Sequence, residues 1–154
     1  MNNFFVLGWM ITILSFTNVV AGEEEQNPNF EKGYELYNQG QYDEAIKLFQ
    51  QVLKDDPKNL KAQVYYGVSL MGKDQFDQAI EELQKALTLD EKFPLSNYAL
   101  AVSYARKLPP DIQKAEEHLK RAKEQGYLVP PWFEQYVERL KTGKVPVPAT
   151  QTPK

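Results

Sequence analysis

Gln41-Tyr42-Asp43-Glu44-Ala45-Ile46 returns thirty-four residues later as Gln75-Phe76-Asp77-Gln78-Ala79-Ile80. The same offset carries Gly33 to Gly67 and on to Ala101, and Leu36 to Leu70 and Tyr104. It also carries Phe49 to Leu83, and Val52-Leu53 to Ala86-Leu87. A fixed period of this length means one supersecondary unit stacked on copies of itself. Within each unit the spacing is helical. Ala45, Phe49 and Val52 stand at i, i+4 and i+7, as do Ala79, Leu83 and Ala86, and Ala115, Leu119 and Ala122. Small residues head each stripe, and Gly33, Gly67 and Ala101 supply a dent on the facing helix. A helical glycine costs about 0.5–1 kcal/mol against alanine; close helix packing is the compensation.

The period places paired helices at about 28–39 and 42–55, 59–72 and 75–88, and 94–107 and 111–125. Asp56-Pro57 stops one of them, and Gly126 suits a left-handed cap. Leu108-Pro109-Pro110-Asp111 lengthens the turn in the third pair, so Ala115 arrives two residues late. A seventh helix starts at Pro131, a residue suited to a first turn. Phe133, Tyr136, Val137 and Leu140 form its apolar stripe, and Gly143 lies just past its end. A stacked array leaves an apolar face at its end, and this helix caps it. The chain divides into residues 1–21 as a signal peptide, a short lead at 22–27, repeats at 28–126, a capping helix at 127–143 and a flexible tail at 144–154.

This pattern resembles the tetratricopeptide repeat over about residues 26–126. Gly33, Leu36, Tyr42, Ala45, Phe49 and Pro57 stand at the family positions in the first repeat. Tyr66-Gly67, Leu70, Phe76, Ala79, Leu83 and Ala86 do so in the second. Leu100-Ala101, Tyr104, Ala115, Leu119 and Ala122 do so in the third. The family's tryptophan in the first helix of each repeat is missing; Asn29, Gln63 and Asn97 replace it. The second repeat has Glu91 where the terminating proline would stand. The resemblance implies an all-α solenoid of three helical hairpins, whose first helices line a concave groove. Its inward positions, carried onto this sequence, are Phe30, Tyr34, Tyr37 and Asn38, then Lys61, Val64, Val68 and Met71, then Leu95, Tyr98, Val102 and Arg106. The set is mostly apolar and aromatic. Its only polar members, Asn38, Lys61 and Arg106, do not reproduce the carboxylate clamp of the chaperone-binding members. Of these residues Tyr34, Tyr98 and Arg106 stand out as anchors, because rigid aromatic rings and the guanidinium fork dominate binding energies.

Residues 1–22 contain no Asp, Glu, Lys or Arg, and Phe4–Val20 is an apolar run. Val19 and Ala21 are the small residues of a cleavage site, followed by Gly22-Glu23-Glu24-Glu25. The segment reads as an export signal cleaved after Ala21. Met1-Asn2-Asn3 lacks the usual basic residue, so the alternative is an anchor formed by residues 4–20, at the short limit for a span. Export places the protein in the periplasm or outside the cell, with membrane attachment only if the segment is uncleaved.

Little chemistry is written in the chain. It has no cysteine, which removes disulfides, zinc ribbons and thiol nucleophiles. A net charge of -3 gives no nucleic-acid footprint. Gly67-Val68-Ser69-Leu70-Met71-Gly72-Lys73 matches the start of a phosphate loop, but Asp74 follows where Ser or Thr should bind magnesium, and no strand precedes it. His118, the single histidine, has no ligand partner at helical spacing and reads as solvent-facing. Glu81-Glu82 and Glu116-Glu117 read as solvated faces. The sequence therefore predicts no enzyme, no metal and no cofactor. It predicts a scaffold that binds a protein or peptide in the groove during assembly of a bacterial cell-envelope complex. The alternative is a structural subunit of such a complex, working through its convex face.

Overall fold

The computed structural model describes residues 27–144; the signal-peptide, anchor and cleavage readings, and the tail from residue 145, lie outside them. Among the described residues seven helices follow one another: α1 (Pro28–Asn38), α2 (Tyr42–Asp55), α3 (Leu60–Gly72), α4 (Phe76–Leu89), α5 (Pro94–Arg106), α6 (Ile112–Glu124) and α7 (Pro131–Lys141). Their ends lie within one residue of those the repeat predicts.

Local chemistry sets these ends. The Asn27 side chain accepts from the amides of Asn29 and Phe30, Asn59 from Ala62, and Asp111 from Lys114. Each satisfies an amide that the first turn leaves without a partner. Gly126 and Gly143 take φ of 86° and 65° directly after Gln125 and Thr142, the residues that cap α6 and α7, the left-handed geometry glycine tolerates.

The helices pair α1 with α2, α3 with α4, and α5 with α6. All three stripes are buried: Ala45, Phe49 and Val52; Ala79, Leu83 and Ala86; Ala115, Leu119 and Ala122. They press against the dents. A Cβ at Gly33 would lie 2.9 Å from the Phe49 ring, and one at Gly67 2.7 Å from Leu83 Cγ. Between repeats the seam carries a recurring ion pair. Lys73 pairs with Asp43, and thirty-four residues later Lys107 pairs with Asp77 at 2.7 Å. The aspartates are exposed, so each pair contributes at most about 1 kcal/mol; it marks register more than it adds stability.

Curvature follows from which helices touch. α1 packs beside α3, α3 beside α5, and α5 beside α7, whereas α2, α4 and α6 make no contact with one another. The helices that meet form the inner side of the bend. α7 closes the last repeat with Phe133, Val137 and Leu140 buried, and Lys141 reaches Glu116 of α6 at 2.7 Å.

Polar groups fill the place of the missing tryptophans. Gln63 is buried and donates to the Glu82 carbonyl at 3.0 Å and to its carboxylate at 2.8 Å. Glu82 is therefore a half-buried strut between α3 and α4, not a solvated residue. Asn97, fully buried, donates to Gln125 Oε1 at 2.9 Å. Its carbonyl oxygen faces His118 Nδ1 at 2.9 Å. The expectation of a solvent-facing His118 is thus corrected: the ring is buried, stacked on Tyr104 with centroids 5.6 Å apart. With the Asn97 amide engaged by Gln125, its oxygen is left to accept, so Nδ1 carries the hydrogen. Burial, together with the nearby Arg121 charge, pushes the His118 pKa down and keeps the ring neutral.

Candidate functional site

The inner face is a wall of rings. In α1, Phe30, Tyr34 and Tyr37 are one turn apart, and successive rings lie 6.4 and 6.3 Å from each other. Tyr65 of α3 meets all three edge-on, at 5.9, 4.9 and 5.6 Å. These are favoured geometries for aromatic pairs. Behind them Phe49 closes the core. Tyr34 remains 37% exposed, so the wall offers a ring surface to solvent. The wall is also uncharged. Burial, then the neighbouring Tyr34, pushes the Tyr65 hydroxyl up to about 12. Burial raises Tyr37 and Tyr98 as well.

Of the residues the repeat points inward, the structure brings Phe30, Tyr34 and Tyr37 into one cluster. Val68, Met71, Leu95 and Tyr98 are half-buried on α3 and α5. Asn38, Lys61 and Arg106 are exposed. Two differ from expectation. Val64 is fully buried and Val102 nearly so, both within the main core. The inner helices pack side by side, and these valines fill their seams, leaving almost no surface for a partner. Arg106 is already engaged: its guanidinium bonds Asp74 at 3.0 Å and lies 5.0 Å above the Phe76 ring. It braces the second repeat against the third.

Two groove residues escape the repeat pattern. Tyr65 stands next to an inward position rather than on one, and its bulk carries it across to α1. Tyr127 follows the α6 cap and stacks on Tyr98 at 4.5 Å. Nothing periodic marks it; a large aromatic directly after Gly126 is the one local signal.

The phosphate-loop match dissolves in the geometry. Gly67 is filled by Leu83, a Cβ at Gly72 would strike the Tyr42 ring at 2.5 Å, and Lys73 is paired with Asp43. A cleft of about 420 Å³ lies elsewhere, between α6 and α7, with Leu119 and Val137 among its lining residues. The ion pairs Lys123–Glu134 and Lys141–Glu116 join the same two helices. Among the described residues no group of three or more His, Cys, Asp or Glu could hold a metal. None of their helices is long and apolar enough to cross a membrane.

Residues 36–102 match the family model of the tetratricopeptide repeat. No curated protein sequence matches the chain. Among solved structures, the first such domain of human RPAP3 superposes with a TM-score of 0.67 at 18% identity, covering 75% of this chain and 92% of that one. The first domain of Spaghetti (RPAP3), bound to the HSP90 peptide SRMEEVD, gives 0.66 at 18% identity over 75% and 90%. The Yersinia enterocolitica type III secretion chaperone SycD, in complex with a peptide of the translocator YopD, gives 0.64 at 22% over 76% and 92%. At these identities the likeness is one of fold. Residues 36–102 carry the tetratricopeptide repeat, and the described residues have the fold of an all-α solenoid of helical hairpins.

Proposed function

We propose that this chain is an interaction module that takes a peptide segment of a partner protein against the inner wall of α1 and α3. One observation carries the reading: Phe30, Tyr34, Tyr37 and Tyr65 form a contiguous, uncharged ring surface on the concave side, with Tyr34 open to solvent. Rigid aromatic area of this kind provides binding anchors at low entropic cost. The solved structures of SycD with a YopD peptide and of the RPAP3 domain with an HSP90 peptide support peptide capture by this fold. The site differs in character from a carboxylate clamp, since its wall is neutral and Arg106 is tied to Asp74.

The reading extends to an exported protein of the bacterial cell envelope, working in assembly of a complex there. Support for this part is the uncharged segment 1–22 with Val19 and Ala21 before an acidic stretch. Intact mass of the natural protein tests it: a first residue at Gly22 agrees, and a retained Met1 in the membrane pellet contradicts it.

The groove is tested by truncating its anchors. Tyr34→Ala and Tyr37→Ala should each cost roughly 2 kcal/mol of partner binding, about thirtyfold in affinity, while remaining folded. Glu81→Ala, exposed on α4, is the outer-face control. Unchanged capture by both groove variants, with loss in the control, supports the structural-subunit alternative.

A further inference from the structure

The segment between α6 and α7 reaches into the groove. Gly126 turns the chain, and the Tyr127 amide bonds back to the Ala122 carbonyl at 2.9 Å. The Tyr127 ring then lies nearly flat on Tyr98, centroids 4.5 Å apart and planes 20° from parallel. Tyr98 is itself braced edge-on by Phe133 at 5.5 Å. The next residue, Leu128, is 92% exposed. The connection thus leaves a leucine in water while laying a half-buried tyrosine on a groove ring, before Val129 packs against the core.

We propose that Tyr127 is a resident stand-in for an aromatic side chain of the partner peptide, seated on Tyr98 until the partner displaces it. This rests on the groove reading above and deepens it, naming the ligand as a peptide that carries a tyrosine or phenylalanine. Three features carry the inference. Tyr98, backed by Phe133, is a flat seat held in place from behind. The group now upon it is a phenol ring, so the seat accepts that shape and polarity. The linker is short: Gly126 turns the chain at φ 86°, Leu128 beside the ring lies in solvent, and the chain returns to the core at Val129. The seated ring lowers apparent affinity by the fraction of time the seat is free. It also keeps the aromatic surface covered when no partner is present.

The test uses the full chain and p-cresol, the tyrosine side chain detached from its backbone. Ring resonances of Tyr98 are followed by NMR as p-cresol is added to the unaltered protein, to Tyr127→Ala and to Tyr127→Leu. Both variants should stay folded and respond at Tyr98 at p-cresol concentrations on the order of tenfold lower than the unaltered protein, as expected for a seat occupied about nine-tenths of the time. An equal response in all three overturns the proposal, as does no response in the variants. If Tyr127→Ala unfolds, Tyr127→Leu decides; if both unfold, the ring is core and the proposal fails. Because p-cresol replaces the partner, this outcome is independent of whether Tyr34→Ala loses capture.

Discussion

Gly67 and Leu83 meet without a side chain between them: a Cβ on the glycine would lie 2.7 Å from the leucine Cγ. Leu83 is fully buried and cannot withdraw its branch point. Gly67→Ala would gain up to about 1 kcal/mol in helix propensity and lose about 1–3 kcal/mol to overpacking. The clash should win, by up to about 2 kcal/mol net of that gain, lowering the melting temperature. A variant that melts at or above the parent would show that α3 and α4 are not in this close contact.

Ala79 tests the same interface from the other helix. It is fully buried at the head of its stripe, whereas Gln78 beside it is exposed. Ala79→Leu should destabilise by about 1–3 kcal/mol, and Gln78→Leu by no more than about 0.5 kcal/mol. Equal melting temperatures for the two would place the repeat in the wrong register.

His118 makes stability depend on pH. Its folded pKa lies below the unfolded value because burial disfavours the charged ring. The unfolded chain therefore takes up a proton first as pH falls. The contribution is fully present above the unfolded pKa, about 6.5, and is lost as pH drops from there toward the lowered folded pKa. Arg121 and Lys114 oppose protonation and Glu117 favours it, and Asn97 can accept from Nδ1 in either state. Melting temperatures at pH 7.5 and 5.5 should differ more for the parent than for His118→Gln. The same pH response in both would mean another group is responsible.

The helices, their ends and the glycine dents were legible because all follow from one period and from residue size. Three things were not. Burial of His118 depends on Asn97 and Tyr104, which come from another helix and fall into place only when α5 and α6 pair. Glu82 looked solvated because its partner, Gln63, stands where the family has an apolar ring. In the groove, the repeat finds Tyr34 and Tyr37 but does not tell an inward surface from a seam, so it places Val64 and Val102 in the lining although both are core. Nor can it see Tyr127, which lies in the irregular connection where periodicity ends.

The central claim is that the ring wall around Tyr34 is the surface a partner touches. Site-specific photo-cross-linking measures this directly. A photoreactive phenylalanine is placed at position 34, in the groove, or at position 81, on the outer face of α4, in the full chain within its natural extract. The account predicts a discrete adduct from position 34 that is competed away by excess unaltered protein, and none from position 81. A competed adduct from position 81 alone, with position 34 silent, would contradict it.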